Sequence, residues 1–488
     1  MPPDGDDPIF SPIALPSGRI LSNRLVKVAL YEHLAKFFGG PPNRFHLELY
    51  RKWSAYDWGM IFTGNVQVSP EHICLARDLV LPSGFSEEQL KPFRELAAVM
   101  HGEQDEKPVA IMQLSHAGRQ SPNILGGRFP FVPPLGPSSI RLGSSLKNNG
   151  IISELLHRVM FQIPRVMSLD DIDQVADAFV RGAKLAALTD YDGVELHVAH
   201  GYLLAQFMSP KSNVRTDEYS CSPSNALRLL NRIVLAIRAA VPPNFILGLK
   251  INAADYAESE ITGEASSLDH IRTIAGWGLV DFIEISGGDY EKPDFMTTST
   301  SPSARQTIFA EFSTHALRVV ESIPRAPLIL LTGGLTAPAQ LYSALSFRHT
   351  HLLGLGRSAV LCPDLPQLLK ERPSNGLFAP QPDLSIGTSA LGDFVFARLP
   401  RIRLLGAGVA MAWYIVALRR LTSGTASVRP DYAVSGFGGL FWMWAWFGPE
   451  VSAFSRFRTM LALTICVVGA SLLVLGRDLK FFARTGIV

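Results

Sequence analysis

The chain is predicted to be of the α/β class: a (β/α)8 barrel followed by a hydrophobic, membrane-associated helical segment. Three observations predict it. Eight short apolar, β-rich runs recur between residues 24 and 356. They are apolar almost throughout, as strands covered on both faces are. Segments with helical periodicity separate most of them, and a barrel of this kind takes about 200 to over 400 residues.

In order, the runs are Arg24–Leu30, Trp58–Val66, Pro108–Leu114, Asp192–Val198, Phe245–Ile251, Asp281–Ser286, Pro327–Thr332 and His351–Gly356. The clearest helix starts after Ser168, with Asp170 and Asp171 in its first turn. Ile172, Val175, Ala176, Phe179, Ala183 and Ala186 fall on one side of it. A doubly wound open sheet accommodates the same alternation. Gly136–Gln162 is Ser/Gly/Asn-rich and is expected to be a surface excursion or lid. Pro363–Asp393 is Pro-rich and polar, as a domain-ending linker is.

The character changes after Arg401. Residues 404–418 and 459–476 are apolar and bracketed by Arg401, Arg403, Arg419 and Arg420, and by Arg456, Arg458, Arg477 and Lys480. Phe441–Phe447 carries three tryptophans. At about 1.5 Å per residue the second run is ~27 Å long, close to the ~30 Å hydrocarbon core. Aromatic belts and snorkelling basic residues favour a membrane reading; two buried helices of a globular subdomain are the alternative. The expected domains are a catalytic barrel over 1–370, a linker over 371–400, and a hydrophobic region over 401–488. Residues 404–418 and 459–476 are its candidate transmembrane helices, with the barrel in the cytosol.

A formal net charge of +2 gives no reason to expect a nucleic acid as partner. Cys74, Cys221, Cys362 and Cys466 are scattered. That argues against a disulfide scaffold, a zinc ribbon or an iron–sulfur cluster, and suits a reducing, intracellular compartment. Met1–Phe10 holds three aspartates and no basic-then-apolar run, so no cleaved signal peptide is expected.

The chemistry concentrates in Gly193–Tyr202, a strand that runs into His197-Val198-Ala199-His200-Gly201-Tyr202. Barrel enzymes place their chemistry at such strand ends. The two histidines read three ways: two metal ligands awaiting a third, a hydrogen-bonded structural pair, or a donor pair for a carbonyl oxygen with Tyr202 as proton donor. Thr332-Gly333-Gly334 and Gly354-Leu355-Gly356-Arg357 end consecutive late strands, which matches the phosphate cup of many barrels. Gln113 and Lys250 are polar within apolar strands and need buried partners, internal or on a ligand.

Together these residues resemble the Old Yellow Enzyme family of FMN-dependent NAD(P)H oxidoreductases over roughly Pro8–Pro366. The resemblance rests on Ser22–Val26, Gln113–Arg119, His197–Tyr202 with Ser209-Pro210 and Asn213–Tyr219, Glu284–Gly288, Thr332–Gly334 and Gly354–Arg357. It implies FMN at the barrel mouth, with Gln113, Lys250 and the backbone around Ala29, Leu30 and Tyr31 at the flavin ring. Gly333, Gly334, Gly356 and Arg357 would hold the phosphate. His197 and His200 would bind a substrate carbonyl and Tyr202 would deliver a proton. The implied activity is ping-pong reduction of the C=C bond of α,β-unsaturated carbonyl compounds by NADH or NADPH. The partners expected are a small-molecule enone, a membrane through the C-terminal region and a second copy of the chain.

Three departures from the family pattern stand out. Tyr31 fills a position where relatives carry Thr or Cys. Ser220-Cys221 and Ser224-Asn225-Ala226 replace Gly-Gly and Glu-Asn-Arg. They motivate one alternative to the ene-reductase, a flavin-binding protein of low turnover; the His197–His200 pair leaves a second, a metal-dependent hydrolase.

Overall fold

The computed structural model describes residues 7–143, 151–252, 262–286, 302–371, 376–382, 384, 405–422, 430, 432, 436–446 and 448. Eight parallel strands form a closed barrel: β1 (Leu25–Lys27), β2 (Met60–Gln67), β3 (Val109–Ser115), β4 (Gly193–Val198), β5 (Ile246–Asn252), β6 (Phe282–Ser286), β7 (Leu328–Thr332) and β8 (Leu352–Leu355). Closure comes from β8 pairing with β1, Leu353 opposite Leu25, while β1 also pairs with β2. All eight expected runs contain a strand. The first is shortest, because the chain leaves the sheet after Lys27 and its next residues run along the mouth.

The helices that alternate with them are α1 (Arg44–Ser54), α2 (Glu87–His101), α3 (Leu169–Leu188), α4 (Arg228–Ala240), α5 (Thr262–Gly276), α6 (Pro302–Val320), α7 (Pro338–Ser346) and α8 (Leu365–Glu371). The (β/α)8 order is therefore the observed one. α3 begins as its sequence predicts. Ser168 Oγ accepts from Asp171 N–H at 3.1 Å, and Asp171 Oδ2 accepts from Ser168 N–H at 2.7 Å. This capping box satisfies N–H groups that lack helical partners. The six apolar residues expected on its inner face are all buried. The 136–162 excursion is bounded by a parallel pair, Leu135–Gly136 with Arg165–Val166, and carries a helix, Ile151–Met160.

The lower end of the barrel is closed by an antiparallel hairpin, Ile13–Ala14 with Ile20–Leu21. Leu15 and Leu21 join Val26, Phe62, Ile111, Ile246 and Phe282 in one buried cluster. The strand ends above it are thus the open face. Within the cluster the Phe282 ring packs at 5.5 Å from Phe62 and fills the space that a side chain on Gly248 would need.

The membrane reading of the C-terminal apolar run at 404–418 finds no support. Its residues 405–418 lie within α9 (Leu405–Leu421), which packs against α1 and the turn Arg357–Leu361, and against α10 (Gly436–Trp444). Val409, Ala412, Trp413 and Ile415 are buried on protein. Among the described residues no helix is long and apolar enough to cross a membrane. The run at 459–476 lies outside the described residues. Met1–Trp444 clusters as one compact unit and Ala445–Val488 as a second.

Gly248→Ala should destabilise the barrel by about 1–3 kcal/mol, because its methyl group overlaps a ring that Phe62 prevents from retreating. Chemical denaturation of the two proteins measures it; equal midpoints would mean the ring is free to move.

Candidate active site at the barrel mouth

Neighbouring strands set a polar floor in register. Gln113 on β3 stands opposite Glu195 on β4. Lys250 on β5 stands opposite His197 on one side and Glu284 of β6 on the other. Gln113 Nε2 donates to Glu195 Oε2 at 2.6 Å, and Lys250 Nζ to Glu284 Oε1 at 2.7 Å. All four side chains are buried. Burial pushes the Glu195 carboxyl well above its usual range and the Glu284 charge pushes it further, while the Lys250 ammonium opposes both. Burial and the neighbouring Glu284 thus both oppose ionisation of Glu195.

His197 lies two residues beyond Glu195 and so faces the same side of β4. Its Nδ1 accepts from Ala199 N–H at 3.3 Å, and its Nε2 lies 3.1 Å from His200 Nδ1. His200 Nε2 lies 3.1 Å from Ser286 Oγ. One tautomer set satisfies these contacts: each ring carries its proton on Nε2, His197 donating to His200 and His200 to Ser286. Burial, then His200 and Lys250, hold His197 well below the usual histidine range; burial and Lys250 do the same for His200. Both imidazoles are neutral.

The next turn is conformationally costly. His200 and Gly201 both adopt left-handed backbone, φ 56° and 69°. This reversal brings the Tyr202 ring edge-on to His197, 4.5 Å between centroids. Tyr202 Oη receives Asn65 Nδ2 at 3.4 Å and the Cys74 thiol at 3.3 Å. The Cys74 loop is tied down by Asp78, whose Oδ2 accepts the Cys74 and Leu75 N–H groups at 3.0 and 3.2 Å. Tyr31 Oη also donates to Asp78 Oδ2, at 3.2 Å.

Ala29, Leu30 and Tyr31 leave β1 along the rim, each partly exposed. A buried network anchors them from below. Glu32 accepts from Tyr50 Oη and from Gly64 N–H, the latter at 3.1 Å. Lys27 Nζ donates to Phe62 O at 2.8 Å and lies 4.1 Å from the Trp53 ring. Burial lowers the Lys27 ammonium to about 7, with Glu32 opposing.

β7 and β8 supply the remaining corner. Gly333 and Gly334 follow β7 with φ of 123° and 71°, which residues with a Cβ rarely adopt. Ser358 Oγ donates to Leu335 O at 2.7 Å and binds this turn to the one after β8. Gly356 and Arg357 begin that second turn, and Arg357 has no hydrogen-bond or ion-pair partner among the described residues. Thr332 Oγ1 is buried there, again without a hydrogen-bond partner among them. An unpaired guanidinium, an orphaned hydroxyl and two glycine turns suit a phosphate monoester. The Ser220–Ala226 departure folds as a turn held by Asn225 Nδ2 to Ser220 Oγ, 3.2 Å, ahead of α4.

A barrel whose mouth carries two glycine turns, an arginine and a buried hydroxyl suits a phosphate-bearing cofactor. The chain belongs to the NADH:flavin oxidoreductase / NADH oxidase family, whose model matches residues 8–375. It is 37% identical to an NADH-dependent flavin oxidoreductase of Neonectria sp. (strain DH2), over 76% of this chain and 48% of that one. The chain thus spans about half that relative's length. A second such enzyme, from Hypocrea jecorina, is 33% identical over 73% of this chain and 87% of its own length. A third, from Talaromyces variabilis, is 32% identical over 84% and 97%. The fold is shared with the Old Yellow Enzyme homologue of Zymomonas mobilis, TM-score 0.58 at 18% identity, over 79% of this chain and 98% of that one. It is also shared with a 2-naphthoyl-CoA reductase, TM-score 0.62 at 20% identity, over 75% and 52%. Family membership makes FMN the cofactor and a nicotinamide the reductant, and the residues at the mouth fit FMN.

Sequence reasoning missed Glu195, Asn65, Cys74 and Asp78. Glu195 was within reach, since the two-residue period of β4 sets it beside His197. The other three enter through the long segment around β2, which carries no local signal of its meeting with Tyr202.

Lys27 generates a pH dependence. Its pKa is about 7 folded and about 10.4 unfolded, so the unfolded chain binds the extra proton between those values. Stability should rise with pH across that window, by up to ~1.4 kcal/mol per pH unit. Lys27→Met should flatten that slope in denaturation series between pH 7 and 10; an unchanged slope would assign it elsewhere.

Proposed function

We propose that the protein reduces the C=C bond of α,β-unsaturated carbonyl compounds, with NADH or NADPH as reductant. The names of the fungal relatives favour NADH. The observation that carries the reading is the neutral His197–His200 pair with Tyr202 standing edge-on to it. Gln113 and Lys250 are proposed to contact the flavin ring beside Ala29, Leu30 and Tyr31, and Gly333, Gly334, Gly356 and Arg357 its phosphate. FMN, when bound, supplies the hydride chemistry.

In this reading His197 and His200 turn their Nε2–H groups from His200 Nδ1 and Ser286 Oγ to the substrate's carbonyl oxygen. Neutral donors suit this role, because they hold the oxygen more strongly as it becomes an enolate and need lose no proton to do so. Tyr202 gives its phenolic proton to Cα. Asn65 and the Cys74 thiol, both donating to Oη, stabilise the phenolate left behind. The buried floor keeps Lys250 paired, so its field bears on the site without an exposed cation.

The hydrolase alternative requires a third metal ligand beside the two histidines. Among the described residues no group of three or more His, Cys, Asp and Glu side chains could hold a metal ion. The low-turnover alternative draws on Tyr31, which packs against Cys74, Ala117 and Tyr202.

Tyr202→Phe is expected to bind FMN and to be reduced by NADH as the parent is, yet to lose about 10²–10⁴-fold in enone reduction. Stopped-flow absorbance near ~450 nm separates the two half-reactions. A Phe protein that reduces cyclohexenone at the parental rate removes Tyr202 as proton donor, and a parent whose flavin NADH reduces but cyclohexenone never reoxidises supports the low-turnover alternative.

A further inference from the structure

The C-terminal hairpin of α9 and α10 rests on the loop that carries Tyr31. Ala412, Ile415 and Met443 are buried in one apolar cluster with Tyr31 and Leu75 packed against it. On its other side Tyr31 packs with Cys74, Ala117 and Tyr202. Its ring is therefore a wall shared by the hairpin and the surroundings of the proton donor. Its hydroxyl is held too, donating to Leu75 O at 3.0 Å and to Asp78 Oδ2 at 3.2 Å.

Arg419 fastens the hairpin in place. It is buried on α9. Nη1 donates to the carbonyls of Trp442 and Met443, at 3.2 and 2.8 Å, in the last turn of α10. Nη2 donates to His33 O at 3.0 Å and lies 2.5 Å from His33 Nδ1. Burial, then Arg419 and Arg77, hold the His33 imidazole well below its usual range, so its Nδ1 is free of charge and accepts. His33 adopts left-handed backbone, φ 55°, and Trp444 stands edge-on to its ring at 5.6 Å. A buried guanidinium needs its donors satisfied. Here the acceptors of Nη1 and Nη2 bind both helices to the residue two positions after Tyr31.

We infer that this hairpin is a specificity element of the active site: Ile415 and Met443 are positioning residues for Tyr31, and Tyr31 limits the size of the acceptor that fits beside Tyr202. The acceptor part rests on the enone reading above; the docking of the hairpin does not. Shortening Ile415 or Met443 opens space behind the ring into which it can withdraw, and that enlarges the room in front of it.

The test uses the full-length protein loaded with FMN. But-3-en-2-one and 4-phenylbut-3-en-2-one serve as small and bulky acceptors for the parent, Ile415→Ala and Met443→Ala. The bulky-to-small ratio of kcat/KM should rise about fivefold or more, through KM, with kcat for the small ketone held within about twofold. An unchanged ratio overturns the specificity role. A second readout needs no acceptor: modification of Cys74 by N-ethylmaleimide, followed by peptide mapping. Arg419→Met, at parental FMN content, should speed it about tenfold or more by loosening the hairpin; an unchanged rate overturns the docking. A parent that reduces neither ketone defeats the enone reading, and the Cys74 rate then decides the hairpin alone. Met443→Ala supplies that rate should Arg419→Met fail to fold.

Discussion

Barrel closure forces charge into a space with no water to receive it, and the rest of the site follows from how that charge is neutralised. Inward positions on β3, β4, β5 and β6 hold Gln113, Glu195, Lys250 and Glu284 in adjoining registers. An isolated ammonium at such depth would shed its proton. Lys250 has instead a carboxylate at 2.7 Å and, nearby, a second carboxyl whose ionisation burial opposes. The field of Lys250 then helps hold His197 and His200 neutral. Two neutral imidazoles, hydrogen-bonded to each other and to Ser286, thus stand beside this floor.

The tripeptide Tyr31-Glu32-His33 couples this floor to the periphery. Extended backbone sends successive side chains to opposite sides. Tyr31 faces Tyr202, and Glu32 turns down to Tyr50 and Gly64. His33, in left-handed backbone, reaches out to Arg419. The bulk of Tyr31 makes sense in that setting. A small residue there would leave both the Tyr202 cluster and the hairpin cluster with an unfilled face, and such a void costs contact on every side that lines it.

The barrel was legible because its signal is local and repeated. Each strand is mostly apolar, and a helix such as α3 carries its own start signal in Ser168 and Asp171. The His197–Tyr202 motif was legible because one strand end and one turn contain it. Partnerships between distant segments were not. Asn65, Cys74 and Tyr202 meet across more than 120 residues of chain, and Arg419 meets His33 across 386. Neither residue of such a pair looks unusual in its own window.

The C-terminal helix shows the same limit in its sharpest form. α9 is apolar around much of its surface and ends in Arg419 and Arg420, which is also how a membrane span with a basic bracket reads. Hydropathy records how strongly a helix avoids water and says nothing of what replaces it. Length is a first but weak discriminator: 17 residues reach about 26 Å at 1.5 Å each, at the lower end of what spans a bilayer. The second is the fate of the terminal arginine. At a membrane surface its head stays hydrated while the stem lies along the lipid. Arg419 is buried, and its donors end on two carbonyls of α10 and on His33. A guanidinium forgoes water only where fixed acceptors replace it, so the partners of Arg419 mark α9 as a helix docked on protein.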